Sequence, residues 1–255
     1  MNRLELPTEP LTVPTHTVAW EAQASKASFR VVGTRDRVEC TESTVTFSPV
    51  HYEDGYAYPL VVWLHGARQN ARNLADAMKH ISLRNYVAVA PSADLAAERR
   101  SNAKPWWQIP DSILNAQERI QEAVDLARQR FCIHEQRIFL VGFDDGGTMA
   151  LRLALQCPEL FAGAATIGGP LPTGHNPLRQ VNAIRNTPFL IAAARHSRHY
   201  PERLVCENLR LLHSAGATVS VRQYPGSDDL TTQMLADLDR WMMELVGQSN
   251  AAIVH

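Results

Sequence analysis

The sequence predicts an α/β protein: a mostly parallel central sheet with helices on both faces. Three observations carry that prediction. Strand-length apolar runs recur at Leu60–Leu64, Tyr86–Ala90, Ile138–Val141 and Pro188–Ala193, and none alternates with polar residues, as strands buried on both faces require. Longer stretches between them place apolar residues at helical spacing. Strands and helices taking turns along one chain imply parallel strands joined by helical crossovers.

The elements follow in order. Residues 1–24, with Pro7, Pro10 and Pro14, form an extended arm ahead of one domain over residues 25–248, and residues 249–255 form a tail. Ser28–Gly33 and Ser43–Phe47 alternate as strands that open the sheet antiparallel. Asp54-Gly55 marks a turn before the buried strand Leu60–Leu64. Ala71–Ile81 is a helix with Leu74, Ala75, Met78 and Ile81 inward, and Tyr86–Ala90 is a strand ended by Pro91. Residues 92–110 are irregular. A long helix over Ile113–Arg130 buries Ile120, Ala123, Val124 and Ala127. Ile138–Val141 leads through a glycine turn into the helix Thr148–Gln156. Strands Ala162–Ile167 and Pro188–Ala193 precede the helix Pro201–Ala215, which points Val205, Leu209 and Leu212 inward. The alternating strand Thr218–Tyr224 and the amphipathic helix Leu230–Val246 close the chain.

Composition narrows the function. The 255 residues are 45% hydrophobic and 20% charged, which supplies the core of one large domain. A net charge of −1 without a basic stripe argues against nucleic acid. The four cysteines are scattered and form no Cys-x-x-Cys pair. No signal peptide and no run of membrane-span length is visible, so a cytoplasmic location is expected. Nothing calls for a cofactor.

The turn Gly142-Phe143-Asp144-Asp145-Gly146-Gly147 sits between a strand and a helix. That is the setting of a nucleophile elbow, whose small residues let the backbone push its central side chain above the sheet. With it go Leu60–Gly66, Arg137–Gly147, Pro158–Gly163, Gly168–Pro172 and Ala215–Gly226, in that order. Together they resemble the α/β-hydrolase superfamily, in its carboxylesterase/phospholipase and polyhydroxyalkanoate depolymerase-like branch. The resemblance covers residues 45–247 and implies the α/β-hydrolase fold. Activity does not follow from fold.

The family's triad runs nucleophile, acid, histidine, and every position is changed. Asp144 stands where the nucleophilic serine is expected. Ser197 stands where the acid follows Phe189–Ala193. Asp228 replaces the histidine in Tyr224-Pro225-Gly226-Ser227-Asp228. A carboxylate attacks esters poorly, although the similar Gly-x-Asp-x-Gly elbows of haloalkane dehalogenases and epoxide hydrolases displace leaving groups from alkyl carbon. Both mechanisms need a histidine base. The backbone N–H groups of Ala67 and Asp145 correspond to the oxyanion hole, which the Asp144 carboxylate is placed to fill itself. His65 reads as the structural histidine of the His-Gly loop. His196 and His199 are the two histidines placed to replace the lost base, and Trp106 and Trp107 are expected to wall a pocket. The three substitutions predict a non-hydrolytic protein that binds a small ligand or a protein partner through the old cleft. The alternatives are an aspartate-nucleophile hydrolase served by His196 or His199, and a metal-assisted hydrolase using Asp144 and Asp228. No metal site is expected from the spacing.

Overall fold

The sheet is assembled from β1 (Val38–Cys40), β2 (Thr44–Phe47), β3 (Tyr58–Leu64), β4 (Val87–Pro91), β5 (Ile133–Phe143), β6 (Gly163–Ile167), β7 (Phe189–Ala194) and β8 (Val219–Tyr224). Their spatial order is β1-β2-β4-β3-β5-β6-β7-β8. β1 and β2 pair antiparallel, as do β2 and β4, and every later pair is parallel. The parallel body matches the predicted arrangement, and the strand expected at Ser43–Phe47 is present and antiparallel, but its antiparallel partner β1 at Val38–Cys40 is not among the expected strands. The computed structural model describes residues 38–41, 43–93 and 106–253. The arm at residues 1–24, the strand expected at Ser28–Gly33 and the Lys104-Pro105 step lie outside the described residues.

The strands are buried on both faces because each face has its own core. Leu60, Val62 and Leu64 of β3 point into one cluster, and Val61 and Trp63 into the other, as the two-residue strand period requires. The first cluster packs α2 (Pro110–Arg130), α3 (Asp145–Gln156) and α5 (Glu202–Ser214) against the sheet. The second packs α1 (Leu74–Ile81) and α6 (Thr232–Ile253) against the opposite face. A short helix, α4 (Val181–Ile184), precedes β7.

Local chemistry sets the element ends. Asn70 and Asn73 form a reciprocal capping box around a 3-10 turn, Ala71–Asn73, so the α-helix proper begins only at Leu74. Ala77 rather than Ala75 completes the buried face of α1, beside Leu74, Met78 and Ile81. α2 starts at Pro110, three residues before the predicted Ile113. Proline at the first helical position lacks only an N–H that has no helical partner anyway. α6 runs on to Ile253, past the predicted end at Val246 and through most of the expected tail. In α5, Val205 and Leu212 are buried as expected, Leu209 is half-buried, and Asn208 joins them.

Candidate functional site

The site grows from the end of β5. Asp144 sits between strand and helix with φ 51° and ψ −123°, a conformation that costs a side-chain-bearing residue about 1–3 kcal/mol. Two close approaches make the turn this sharp. A Cβ at Gly142 would lie 2.2 Å from Gly146 O, and one at Gly146 would lie 2.3 Å from Leu64 O. Only glycine fits either place. The turn is held by Asp144 N–H donating to Ile167 O at 2.8 Å and Thr148 N–H donating to Asp144 O at 3.2 Å. The elbow backbone is thus complete, with a carboxylate at its apex and α3 starting at Asp145 directly behind it.

The loop after β3 comes to meet that carboxylate. Ala67 N–H donates to Asp144 Oδ2 at 3.2 Å. The donor expected to face an oxyanion is thereby taken up by the protein's own side chain. Gly66 N–H donates to Gln69 Oε1 at 3.2 Å, which fixes the loop from within. His65 is fully buried, its Nδ1 is 3.1 Å from Gly66 O, and its carbonyl accepts the Trp106 indole N–H at 2.8 Å. His65 therefore braces the loop, in keeping with its expected structural part.

Ser197 and Asp228 meet each other. The Ser197 hydroxyl donates to Asp228 Oδ1 and accepts Tyr200 N–H at 2.7 Å. Asp228 also accepts Arg198 N–H at 3.1 Å and His199 N–H at 3.5 Å. Burial would raise the Asp228 carboxyl, but the Ser197 hydroxyl and these two N–H groups outweigh it and hold its pKa below the usual value. The loop after β7 and the loop after β8 are clasped by this pair, with His196 N–H donating to Gly226 O at 2.9 Å beside it.

Asp144, Ser197 and Asp228 line one depression, together with Asp229 and the apolar side chains of Phe143 and Met234. It offers about 10 Å³, room for about one water molecule. His196 and His199 have exposed side chains. The two tryptophans part company: Trp106 is buried in the core against α2, and Trp107 stands 48% exposed. Neither lines this depression, which corrects the expected pocket wall. The indole N–H of Trp106 is satisfied inward by the His65 carbonyl, and that bond turns its neighbour outward. Among the described residues no group of three His, Cys, Asp or Glu side chains is placed to hold a metal ion.

One residue of the site's surroundings escaped the sequence. Arg152 of α3 is fully buried and donates to Gln108 Oε1, Thr173 O and Gly174 O. Burial pushes its guanidinium pKa down. It ties the elbow helix to the segment entering α2 and to the loop after β6. The available signal was a lone charge within the apolar run Met149–Leu155.

A strained, glycine-framed elbow at the end of the central strand of this sheet defines an α/β-hydrolase. The phospholipase/carboxylesterase family model matches residues 48–244, and the chain belongs to that family. The carboxylesterase SOBER1 of Arabidopsis thaliana is 22% identical over 218 residues, 77% of this chain and 95% of its own length. Its crystal structure superposes with a TM-score of 0.60 at 19% identity, covering 74% of this chain and all of that one. A Bacillus cereus carboxylesterase superposes with a TM-score of 0.65 at 15% identity, covering 80% of this chain and 95% of that one. At these identities the structural likeness establishes the fold alone. No helix among the described residues is long and apolar enough to cross a membrane.

Proposed function

We propose that this protein is a non-hydrolytic member of its family that acts by binding at the old cleft, with a partner protein rather than a small ligand as the occupant that a depression of about 10 Å³ admits. In this reading Asp144, Ser197 and Asp228 stand at the nucleophile, acid and histidine positions. The observation that carries it is the Ser197–Asp228 hydrogen bond. Ester hydrolysis needs a group that takes a proton from the nucleophile and returns it to the leaving group. A carboxylate with a depressed pKa is a poor proton carrier at neutral pH, and Asp228 already accepts three donors. The Ala67 N–H bonded to Asp144 adds support, because a donor engaged in the resting protein is lost to a tetrahedral intermediate.

The test is hydrolysis of short-chain nitrophenyl esters by the purified protein. No turnover above background is expected. Turnover that Asp144→Ala abolishes would overturn the proposal.

One observation favours a second reading, an aspartate-nucleophile hydrolase: the elbow keeps its strained backbone although the serine is gone. That reaction requires His196 or His199 to reach the attacking water, and the exposure of both rings counts against it. Turnover of haloalkanes or epoxides that is lost in Asp144→Asn, and again in His196→Ala or His199→Ala, would establish it. Metal-assisted hydrolysis predicts turnover that a chelator removes, and the same assay addresses it.

A further inference from the structure

We infer that the outer edge of β8 is an interaction surface for a second copy of this chain, and that the two copies pair their β8 strands antiparallel about a two-fold axis at Val221. This goes beyond the function proposed above and does not depend on it, because the surface is a sheet edge, whereas the cleft lies past the strand ends. β8 is the last strand of the sheet, with β7 on one side and no strand beyond it among the described residues. The row of unpaired backbone groups on such a strand is a template for pairing with another chain.

The register of β8 on β7 identifies the outward groups. Phe189 N–H donates to Thr218 O and Arg195 N–H donates to Tyr224 O, both at 2.8 Å. In a parallel ladder a strand turns the backbone groups of every second residue to one neighbour and those between to the other side. Thr218, Ser220, Arg222 and Tyr224 therefore face β7, and the N–H and C=O groups of Val219, Val221 and Gln223 point outward. β8 also lacks the usual defences of an edge. It runs for 6 residues without proline, lysine or a bulge, in unbroken register with β7. Val221, at its middle, is 43% exposed. The opposite edge is defended: β1 has only 3 residues, and its Glu39 is ion-paired to Arg130 at 2.5 Å.

A second copy fits this edge in one register. Outward residues must meet outward residues, so the two-fold axis passes through a residue and not between two. At Arg222 it would set two guanidinium side chains directly opposite each other, which is destabilising. At Ser220 it would leave Gln223 without a partner on the other β8. At Val221 every outward group is used: Val221 exchanges both of its bonds with Val221 of the second copy, and Val219 and Gln223 do so with each other across the axis. Ser220 then falls opposite Arg222 in the closer, non-hydrogen-bonded pair, so no like charges meet. The central pair sets two exposed, β-branched side chains against each other, which suits a pleated surface. Pairing of this kind joins the two sheets into one and removes the free edge of both.

Sedimentation velocity of the full chain over about 1–100 μM tests the surface, and a reversible monomer–dimer equilibrium with Kd in that range is expected. Val221→Pro removes an outward N–H at the axis and no bond to β7, and should weaken the dimer about tenfold or more through the two central bonds. Because proline can disturb a strand, Val221→Lys supplies a second variant: it leaves the backbone intact, sets two ammonium groups opposite each other and should weaken the dimer as well. Ser220 tests the register. Ser220→Glu, facing Arg222 of the other copy, should tighten the dimer about threefold, and Ser220→Arg should loosen it by a similar factor. Hydrogen exchange over residues 218–224 should show protection that fades as the dimer is diluted. The proposal is overturned if the chain stays monomeric across the range, if both Val221 variants dimerise as the wild type does, or if the two Ser220 variants do not shift Kd in opposite directions. Protection that persists in the diluted monomer would mean that the chain covers this edge itself, and would overturn it too.

Discussion

Ser197→Ala puts the clasp between the two loops to a quantitative test. The Ser197 side chain is buried and takes part in two hydrogen bonds, one to the Asp228 carboxylate and one from Tyr200 N–H. Removing the hydroxyl strands the N–H of a fully buried residue, which costs about 1–3 kcal/mol. Asp228 is only partly buried and recovers water in place of its lost donor, so that side of the exchange adds little. A net loss of about 2 kcal/mol follows, or a fall in Tm of about 4–8 °C for a domain of this size. Urea unfolding should report it as a lower midpoint at unchanged slope. The pH dependence gives a second arm. The folded pKa of Asp228 lies below its unfolded value, so its contribution is present above the unfolded pKa and is lost as pH falls through the folded one. Part of that depression comes from Ser197, so the gap between wild type and variant should narrow below about pH 4. A loss smaller than about 0.5 kcal/mol, or a gap that widens in acid, would refute the clasp as a stabilising contact.

Three further outcomes are expected. The triple variant Asp144→Ser, Ser197→Asp, Asp228→His should hydrolyse nitrophenyl acetate at least about 10²-fold faster than the wild type, because the serine frees the Ala67 N–H and the histidine restores the proton carrier. Steady-state assays decide it. Gly142→Ala should cost about 4 kcal/mol or more, since its Cβ meets the Gly146 backbone oxygen at 2.2 Å, and loss of soluble protein or of a cooperative melt would register this. Arg152→Met should cost about 3 kcal/mol by stranding the acceptors at Gln108, Thr173 and Gly174, read by chemical denaturation.

Much of this fold was legible because its cues are short-range. Leu60–Leu64 reads as a doubly buried strand by itself, and it is one. Gly142, Gly146 and Gly147 announce a turn that only glycine allows, and the turn is there. The misses share a cause. Ala75 and Ala77 of α1 are equally apolar, and the way the helix rotates against β2, β4 and α6 decides which one is buried. Trp106 and Trp107 are adjacent and alike, and a carbonyl 41 residues earlier in the chain selects which one turns inward.

The sequence by itself determined the order of strands and helices, the elbow, and the residue types at Asp144, Ser197 and Asp228, because periodicity, turn chemistry and residue identity are carried by neighbours along the chain. Tertiary structure decided what these side chains touch. Ser197 and Asp228 are 31 residues apart, and Ala67 and Asp144 are 77 apart. β7 and β8 lie side by side, with Ala194 opposite Tyr224, so the loops that follow them are held within reach of each other. β3 and β5 likewise pair with Leu64 opposite Gly142, which carries Ala67 to the elbow. A hydrogen bond forms only over about 3 Å, and strand register sets distances of that order between residues so far apart in the chain.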